Sequence, residues 1–464
     1  MLRLFRHYYP IRNIFFVLGE GLIIFFAVLI SSRLIMGAEV FVWDRLIGLK
    51  ALLITFVCQT ALYYNDLYDL KVADRFTEIG IRLLQALGFS AVFLAAVYYL
   101  FPATIIQKGV FVVSAGLVIL LIVSWRMTYN LILNRGLFNQ KLVILGSGKL
   151  AQSICDEIAA KKDCGYSVSM MVPESGQESM ICDPTTAVLC KKDYSGLCDL
   201  AKDMGINKIV VALQEKRKGF PIQELLNCRV SGIDVLEGNS FYEILTGKLI
   251  VEHINPSWLI FSDGFHQSWF RRMAKRGTDL LFSTLLLIVV SPIIAITALF
   301  IKLDSQGPLI FSQDRVGENR KPYQVHKFRS MVADAEKLSG PVWAQANDDR
   351  ITRVGRFIRK WRVDELPQLW NVFKGDMSFV GPRPEREFFV QQLESQIPYY
   401  RERFSIKPGI TGWAQVCYPY GASVEDAKEK LNYDLFYIKN MSVFFDLMIV
   451  LKTIKTVVFG EGAR

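Results

Sequence analysis

Two carboxylates stand side by side at Asp364 and Glu365, heading the run DELPQLWNVFKGDMSFVGPRPE that closes at Glu385. Arg350, Arg353, Arg356, Arg359, Lys360 and Arg362 lie immediately upstream, and within the run Arg383 is flanked by Pro382 and Pro384. A carboxylate repels anions, so one set among so many cations is suited to meeting a polyanion that those cations hold. The fitting chemistry is attack on phosphorus, in which a carboxylate oxygen forms an acyl phosphate while cationic side chains and a metal ion neutralise the phosphate oxygens. On a helix, adjacent residues point ~100° apart, so Asp364 and Glu365 cannot share one proton face to face. They should divide the work, one as nucleophile and the other holding Mg²⁺ or orienting the first. Taken alone, an Asp-Glu dipeptide is ordinarily a solvated helix face; its neighbours give this one meaning.

The chain that must position this pair has 464 residues, of which 52% are hydrophobic, and a mean hydropathy of +0.27. That is long enough for two or three domains and too apolar for an ordinary soluble protein. The formal net charge is +10, yet helix-turn-helix spacing, zinc fingers and aromatic RNA-binding signatures are absent from the sequence, which argues against nucleic acid. Membrane lipids with anionic headgroups and phosphorylated substrates are the expected partners. Cysteines 58, 155, 164, 182, 190, 198, 228 and 417 form no Cys-x-x-Cys and do not join the four histidines at metal-ligand spacing, so reduced thiols in a cytosolic compartment are expected.

Apolar runs at 14–36, 46–64, 83–101 and 110–125 each approach the ~20 residues a bilayer requires. The first is too long for a signal-peptide core and lacks a small-residue cleavage site, so it reads as a retained membrane helix. Arg3, Arg6 and Arg12 precede it, Lys71, Arg75 and Arg82 lie between the second and third runs, and Arg126 and Arg135 follow the fourth. The other two loops are nearly free of positive charge, which puts both ends of the bundle in the cytoplasm. From Lys141 the pattern becomes a strand, a glycine-rich turn and a helix, LVILGSGKLAQSICDEIAA, with strand-like stretches at 168–172, 208–213 and 232–236. This is a Rossmann-like α/β pattern. Gly146, Gly148 and Ala151 match G-x-G-x-x-A, which suits a dinucleotide pyrophosphate at the helix start or, equally, a tight turn in a structural or regulatory domain. The acidic residue expected after the second strand is at best Glu174, set off by Pro173.

Residues 280–301 carry no charge and would extend ~33 Å as a straight helix. Arg271, Arg272, Lys275 and Arg276 flank one end, and Lys302, Arg315, Arg320 and Lys321 flank or follow the other. A crossing would put one cluster on the wrong side. Ser291 and Pro292 sit mid-run, where proline removes an amide donor and bends the helix. A re-entrant hairpin over 277–302 satisfies both features; a kinked spanning helix is the alternative. The remainder is polar and Arg-rich, with helix-like segments at 353–374 and 424–438, and 441–459 is apolar but interrupted by Asp446, Lys452 and Lys455, as for a helix lying on the interface. The expected architecture is an α/β membrane protein: a four-helix transmembrane bundle (1–136), a Rossmann-like α/β domain (137–258), a linker (259–272), and a mainly helical catalytic domain (273–464) with a re-entrant membrane hairpin.

KRGTD (Lys275 to Asp279), Ser291-Pro292, DRVGENRKPYQVHKFRSM (Asp314 to Met331), ITRVGRFIRK, the dyad run and KPGITGWAQV follow one another in this order. In them the chain resembles the bacterial polyprenyl-phosphate hexose-1-phosphate transferases, the large monotopic phosphoglycosyl transferases, and its ending YYRERFSIKPGITGWAQVCYPYGAS is most similar to the exopolysaccharide branch. The resemblance covers nearly the whole chain. It implies transfer of a hexose 1-phosphate from a UDP-sugar to polyprenyl (undecaprenyl) phosphate, with release of UMP and a phosphosugar carried on Asp364. It further implies that Glu365 supports Mg²⁺ and the nucleophile, and that Lys327, Arg329, Arg353, Arg356 and Arg383, with Asp376, Pro384 and Glu385, form the substrate site. Lys275, Arg276 and Asp279 would sit where the lipid phosphate arrives at the mouth of the Ser291-Pro292 hairpin. A bacterial plasma-membrane location with a cytoplasmic catalytic domain, and a homodimer, follow from the same resemblance. Bland uses remain open. Lys275 and Arg276 can anchor a membrane helix by snorkelling, Arg353 and Arg356 can be solvated, Asp376 can cap the turn after Gly375, and His326 can be a packed strand residue. Asp349 and the stretch Trp361-Arg362-Val363 depart from the family's usual pattern. Two other classes compete, a membrane-tethered NAD(P)-dependent sugar oxidoreductase or epimerase built on the glycine-rich turn, and a non-enzymatic assembly scaffold.

Overall fold

A computed structural model of the chain describes residues 2–4, 7–9, 11–37, 46–68, 76–107, 109–134, 139–161, 164–173, 194–213, 220–254, 264–265, 268–332, 350–419, 421 and 423–459. Arg6, Lys71, Arg75, Arg135, Glu174, Cys182, Cys190 and Asp349, with the side chains of Arg3 and Arg12, lie outside the described residues. The chain divides into two compact units whose main bodies are Tyr9–Gly238 and Asn239–Arg464. It is mostly helical, with a small parallel sheet.

In the first unit, helices Ile11–Met36, Ile47–Tyr64, Phe76–Leu100 and Val110–Asn134 are long and apolar enough to cross a membrane. The first packs on the second and fourth, and the second on the third. Ile24, Val28, Ala51, Ile54, Leu83 and Ile122 are buried between them, while Leu22, Phe26, Phe56, Leu84, Phe93 and Leu120 face outward. Helices apolar on both faces need apolar surroundings on both. The hydroxyls of Ser31, Ser32, Thr55, Ser90 and Ser114 each donate to the carbonyl four residues back, so these groups are satisfied without water.

Two boundaries differ from expectation. The third helix starts at Phe76 rather than near 83, and the fourth runs on to Asn134. Apolar counting stops at the first charge, whereas a helix continues wherever that charge finds a partner. Arg126, expected among the flanking cations, is inside the fourth helix and buried, its Nη2 2.7 Å from Glu20 Oε1. Its Nη1 donates to Leu67 O at 2.6 Å, and the guanidinium lies 5.3 Å from the Phe16 ring centre.

The sheet of the same unit has strand order Tyr166–Val172, Gln140–Leu145, Lys208–Val211, Asp234–Glu237, with every pairing parallel. Leu142 to Leu145 are fully buried, as parallel strands covered by helices must be. Gly146 has a packing reason to be glycine. Its φ is +120°, and a Cβ there would meet Ala212 O at 2.5 Å. Gly148 caps the start of helix Lys149–Ala160.

In the second unit one helix, Trp269–Asp304, runs 36 residues without interruption through Pro292. The segment expected as a re-entrant hairpin over 277–302 keeps helical hydrogen bonding through Pro292, with no loop between its two halves, and the sequence contains the reason. Proline cannot donate to the carbonyl four residues earlier; that carbonyl, Ile288 O, instead accepts from Ser291 Oγ at 2.8 Å. Leu285, Ile288, Val289, Ile293 and Ile296 around it are exposed.

Both ends of this helix are fixed to the rest of the unit. Near the start, Arg276 donates from both terminal nitrogens to Val372 O and Phe373 O, each at 2.7 Å. Asp279 Oδ1 accepts from Phe379 N (2.9 Å) and Ser378 Oγ (3.1 Å). At the far end Ile301 packs on Phe328 and Ile358, Asp304 Oδ2 accepts from Val354 N at 3.1 Å, and Arg329 donates to Ser305 O and Gln306 O. The rest comprises an antiparallel hairpin (Ile310–Val316 with Pro322–Phe328), a short parallel pair (Ser378–Val380 with Gly409–Thr411) and helices around a core of Tyr400, Trp413, Leu435, Phe436, Tyr437 and Phe445. The last helix, Val443–Phe459, was expected to lie on the interface because of its charges. Of those charges Asp446 is buried against Tyr437 and Lys452 covers the Trp413 ring at 4.5 Å, while Val443, Phe444, Leu447, Leu451 and Ile454 of the same helix are exposed.

Removing one member of the Glu20–Arg126 pair leaves a buried charge uncompensated. Arg126→Met should lower stability by about 3–5 kcal/mol, and Glu20→Leu combined with Arg126→Met should recover most of the loss. Thermal unfolding of the detergent-solubilised protein measures this; a double variant as unstable as the single one refutes the pairing.

Candidate active site

The segment expected as one helix over 353–374 is two. Helix Arg353–Lys360 ends, Arg362 takes a left-handed conformation (φ 56°), a 3₁₀ turn covers Val363–Glu365, and helix Gln368–Lys374 begins beyond Pro367. The dyad therefore sits at a corner. Val363 turns inward onto the cluster of Ile301, Phe328 and Ile358, while the two carboxylates meet different surroundings.

Glu365 is nine-tenths buried and carries the cations. Its Oε1 lies 3.0 Å from Lys327 Nζ, 3.2 Å from Arg383 Nη2 and 3.8 Å from Arg362 Nη1. Burial alone would raise its pKa, but Lys327, Arg383 and Arg362 outweigh that and hold the carboxylate well below its usual range. Asp364 is pushed the other way, up to about 6, by burial and then by the negative charge of Glu365, with Lys327, Arg362 and Arg359 opposing. Its Oδ1 is buried and accepts no hydrogen bond. A low-pKa carboxylate locked in ion pairs beside an unpartnered one is the division of labour that nucleophilic chemistry at phosphorus needs.

Three elements bring the cations in. Lys327 lies on the strand Pro322–Phe328, sharing a face with Val325, which packs on Val372 and Met377. Asn371 fixes the spacing between that strand and helix Gln368–Lys374. Fully buried, it donates from Nδ2 to Gln324 O (2.7 Å) and accepts at Oδ1 from His326 N (3.1 Å). Arg383 comes from the Gly-Pro-Arg-Pro turn after strand Ser378–Val380.

Of the residues expected in the site, Asp364, Glu365, Lys327 and Arg383 come together. Pro384 and Glu385 continue the Arg383 turn, with the Glu385 carboxylate 3.8 Å from Arg315. Arg329 uses its donors on Ser305 and Gln306 at the end of the long helix. Arg353 and Arg356 lie exposed at the start of their helix. Asp376 pairs with Lys374 at 3.0 Å, and the cap after Gln368–Lys374 is Gly375 itself, at φ 103°. Lys275 neither snorkels nor stands open, since its Nζ contacts Asp446 Oδ2 at 2.7 Å and Tyr437 OH at 3.0 Å. Ser291 and Pro292 are mid-helix. Arg359 and Arg362 stand out in the sequence only as members of a basic run, yet their charges act on Asp364; their position within five residues of the dyad was the available signal. Asn371 gave no signal, because a buried amide inside an apolar helix pattern reads as a polar outlier.

The site is a carboxylate pair among cations, in a unit that also carries a long apolar helix. Residues 270–460 match the bacterial sugar transferases. The undecaprenyl-phosphate galactose phosphotransferase of Salmonella typhimurium is 30% identical over 361 residues, 73% of this chain and 72% of the relative. The UDP-N-acetylgalactosamine-undecaprenyl-phosphate N-acetylgalactosaminephosphotransferase of Aeromonas hydrophila is 43% identical over 240 residues, 52% of this chain and 56% of the relative. The UDP-glucose:undecaprenyl-phosphate glucose-1-phosphate transferase of Escherichia coli K12 is 43% identical over 190 residues, 40% of each chain. The match thus spans about half or less of the length of the latter two. The chain belongs to the bacterial sugar transferase family.

Asn371→Ala would leave His326 N and Gln324 O without partners in the interior. It should cost about 1–3 kcal/mol and loosen Lys327 from Glu365; thermal unfolding beside the wild type measures the loss, and an unchanged transition would show that the amide does not set this spacing.

Proposed function

We propose that the protein transfers a hexose 1-phosphate from a UDP-sugar to polyprenyl phosphate, undecaprenyl phosphate in bacteria, and so starts the assembly of an exopolysaccharide or O-antigen. The observation that carries this is the unpartnered, buried Oδ1 of Asp364 beside a Glu365 already neutralised by Lys327, Arg383 and Arg362.

In the first half-reaction Asp364 attacks the sugar-proximal phosphorus of the UDP-sugar. The bond from that phosphorus to the bridging oxygen breaks, UMP leaves with the electron pair, and a phosphosugar remains on the aspartate. An oxygen of the polyprenyl phosphate then attacks the same phosphorus, restoring the carboxylate and giving a polyprenyl diphosphate sugar. The anomeric bond is untouched. Lys327, Arg383, Arg362 and Arg359 offset the donor's charge and lower the repulsion between Asp364 and the diphosphate. The transferred group needs no strong base, so His326, hydrogen-bonded to Ser312 at 2.9 Å, has no proton to move.

Mg²⁺ is expected at this site. Such an ion would be held by one or two protein carboxylates together with substrate phosphates, and the Oδ1 of Asp364, buried without a hydrogen-bond partner, fits that pattern. Asp364 and Glu365 would hold the ion together with the donor. When bound it would neutralise charge on the phosphate oxygens.

The membrane arrangement follows from the same physics. A helix whose two ends are both held by one body, and whose middle is apolar and exposed, enters and leaves the same leaflet. Basic residues at both ends put that body in the cytoplasm, with the four helices of the first unit as a spanning bundle and its parallel sheet as a Rossmann-like domain. A polyprenyl chain gains ~0.8 kcal/mol per buried methylene, so it stays in lipid and its phosphate meets the dyad at headgroup depth. The three relatives named above differ in their sugar, and the hexose used here is left to a panel of UDP-sugars.

UMP release from membranes given UDP-sugars and undecaprenyl phosphate tests the reaction. Asp364→Asn should release UMP at least about a thousandfold more slowly; release at the wild-type rate ends the assignment. The attacking carboxylate must be ionised, and its pKa is raised to about 6, so the rate should climb with pH below about 6 and level off above it. Glu365→Gln removes a negative neighbour and should move that inflection to lower pH. A wild-type rate flat from about pH 5 to 8 would contradict the ionisation that the mechanism requires.

A further inference from the structure

Arg383 reaches Glu365 only because its turn is held, and the holding is unusually complete. Four consecutive carbonyls each accept a hydrogen bond. Gly409 N reaches Pro382 O (2.9 Å), Arg403 Nη2 reaches Arg383 O (3.1 Å), Arg315 Nη1 reaches Pro384 O (3.2 Å), and Val316 N reaches Glu385 O (3.0 Å). Two of the four donors are side chains of arginines remote in sequence, neither of which touches Asp364 or Glu365.

Arg403 is the more deeply placed. It belongs to the turn Tyr400–Ser405, is 6% exposed, and is charge-balanced by Asp434 at 3.0 Å. Its Nη1 donates to Tyr400 OH at 2.5 Å, and its guanidinium lies 5.0 Å from the Tyr400 ring centre. A planar fork fixed on three sides is pre-organised for the remaining bond, whereas an ammonium cannot span the same partners. Arg315, on the strand Ile310–Val316, is braced by Gln313 Oε1 at 2.6 Å. A buried charge is costly to keep, and the Arg403–Asp434 pair lies outside the dyad.

We propose that Arg403 and Arg315 are positioning residues for the phosphate-handling arginine: they clamp the Pro382–Glu385 backbone so that Arg383 projects onto Glu365. The inference rests on the proposed phosphosugar transfer for its kinetic consequence, but not for its geometry. Either clamp removed should let the turn relax and Arg383 withdraw, after which Glu365 has only Lys327 and Arg362.

Two measurements on the full-length protein test this, with Arg403→Lys, Arg315→Gln, Arg383→Ala and the two double variants with Arg383→Ala. Hydrogen–deuterium exchange over 380–387 should quicken at least about tenfold in Arg403→Lys and in Arg315→Gln. UMP release should fall roughly 10- to 100-fold in either clamp variant and about a hundredfold in Arg383→Ala. Each double variant should be no slower than Arg383→Ala within about twofold, because clamps acting through Arg383 have nothing left to act on. Losses that multiply, or exchange in the turn that does not change, overturn the proposal; a general loss of folding would multiply rather than saturate. A wild type that releases no UMP would end the reading of the reaction, and the exchange measurement would then decide the clamp alone.

Discussion

One apolar helix fastened at both ends to the same body is the constraint on which the catalytic unit depends. The middle of Trp269–Asp304 exposes leucine, isoleucine and valine that no part of the unit covers, so that surface has to find an apolar medium. The start of the helix is held through Arg276 and Asp279 and the end through Ile301, Asp304 and Arg329. The far-end cluster also receives Val363, one residue before the dyad. Asp364 is thereby tied to that helix through packed side chains.

The dyad works because its two members are electrically unequal. Near a protein surface two unit charges 4 Å apart interact by about 4 kcal/mol, and Glu365 has three cations at or within that distance. Their sum exceeds its burial penalty, whereas for Asp364 burial and the repulsion of its neighbour outweigh Lys327, Arg362 and Arg359. The left-handed Arg362 breaks the helix just before the pair, and the two side chains meet different surroundings.

The sequence made the large features legible and misplaced the small ones, for identifiable reasons. Helix cores at 83–101 and 110–125 were visible because long apolar runs have few other uses; the start of the one and the end of the other were not, because Arg82 and Arg126 find partners at Asp66 and Glu20 that no local pattern announces. The parallel strands appeared as short apolar runs of the right spacing. Asp364 and Glu365 stood out through their basic company, yet the helix assigned to them was wrong, since a positive φ at an arginine leaves no trace in composition. Ser291-Pro292 marked the bend of a hairpin, and hydrogen bonding stays helical through it because the serine hydroxyl supplies the bond that proline withholds.

Two of the arginines expected at the site, Arg276 and Arg329, are engaged with backbone carbonyls. A basic run reads as an anion site only if its donors are free, and a guanidinium fork is also the side chain best shaped to bridge two backbone carbonyls or to serve a carbonyl and a carboxylate together. Arg276 closes the end of helix Gln368–Lys374, Arg329 the end of Trp269–Asp304, and Arg315 and Arg403 clamp the turn that carries Arg383. These carbonyls lie at helix ends or in a proline-rich turn, where regular backbone pairing runs out. The lysines act differently, since Lys327 and Lys275 each reach a carboxylate as compact charges, at 3.0 and 2.7 Å. In this unit arginine chiefly builds the frame and lysine balances the buried acids, and Arg383 and Arg362, the arginines that join Lys327 on Glu365, are held by a turn and a corner rather than by a helix or strand.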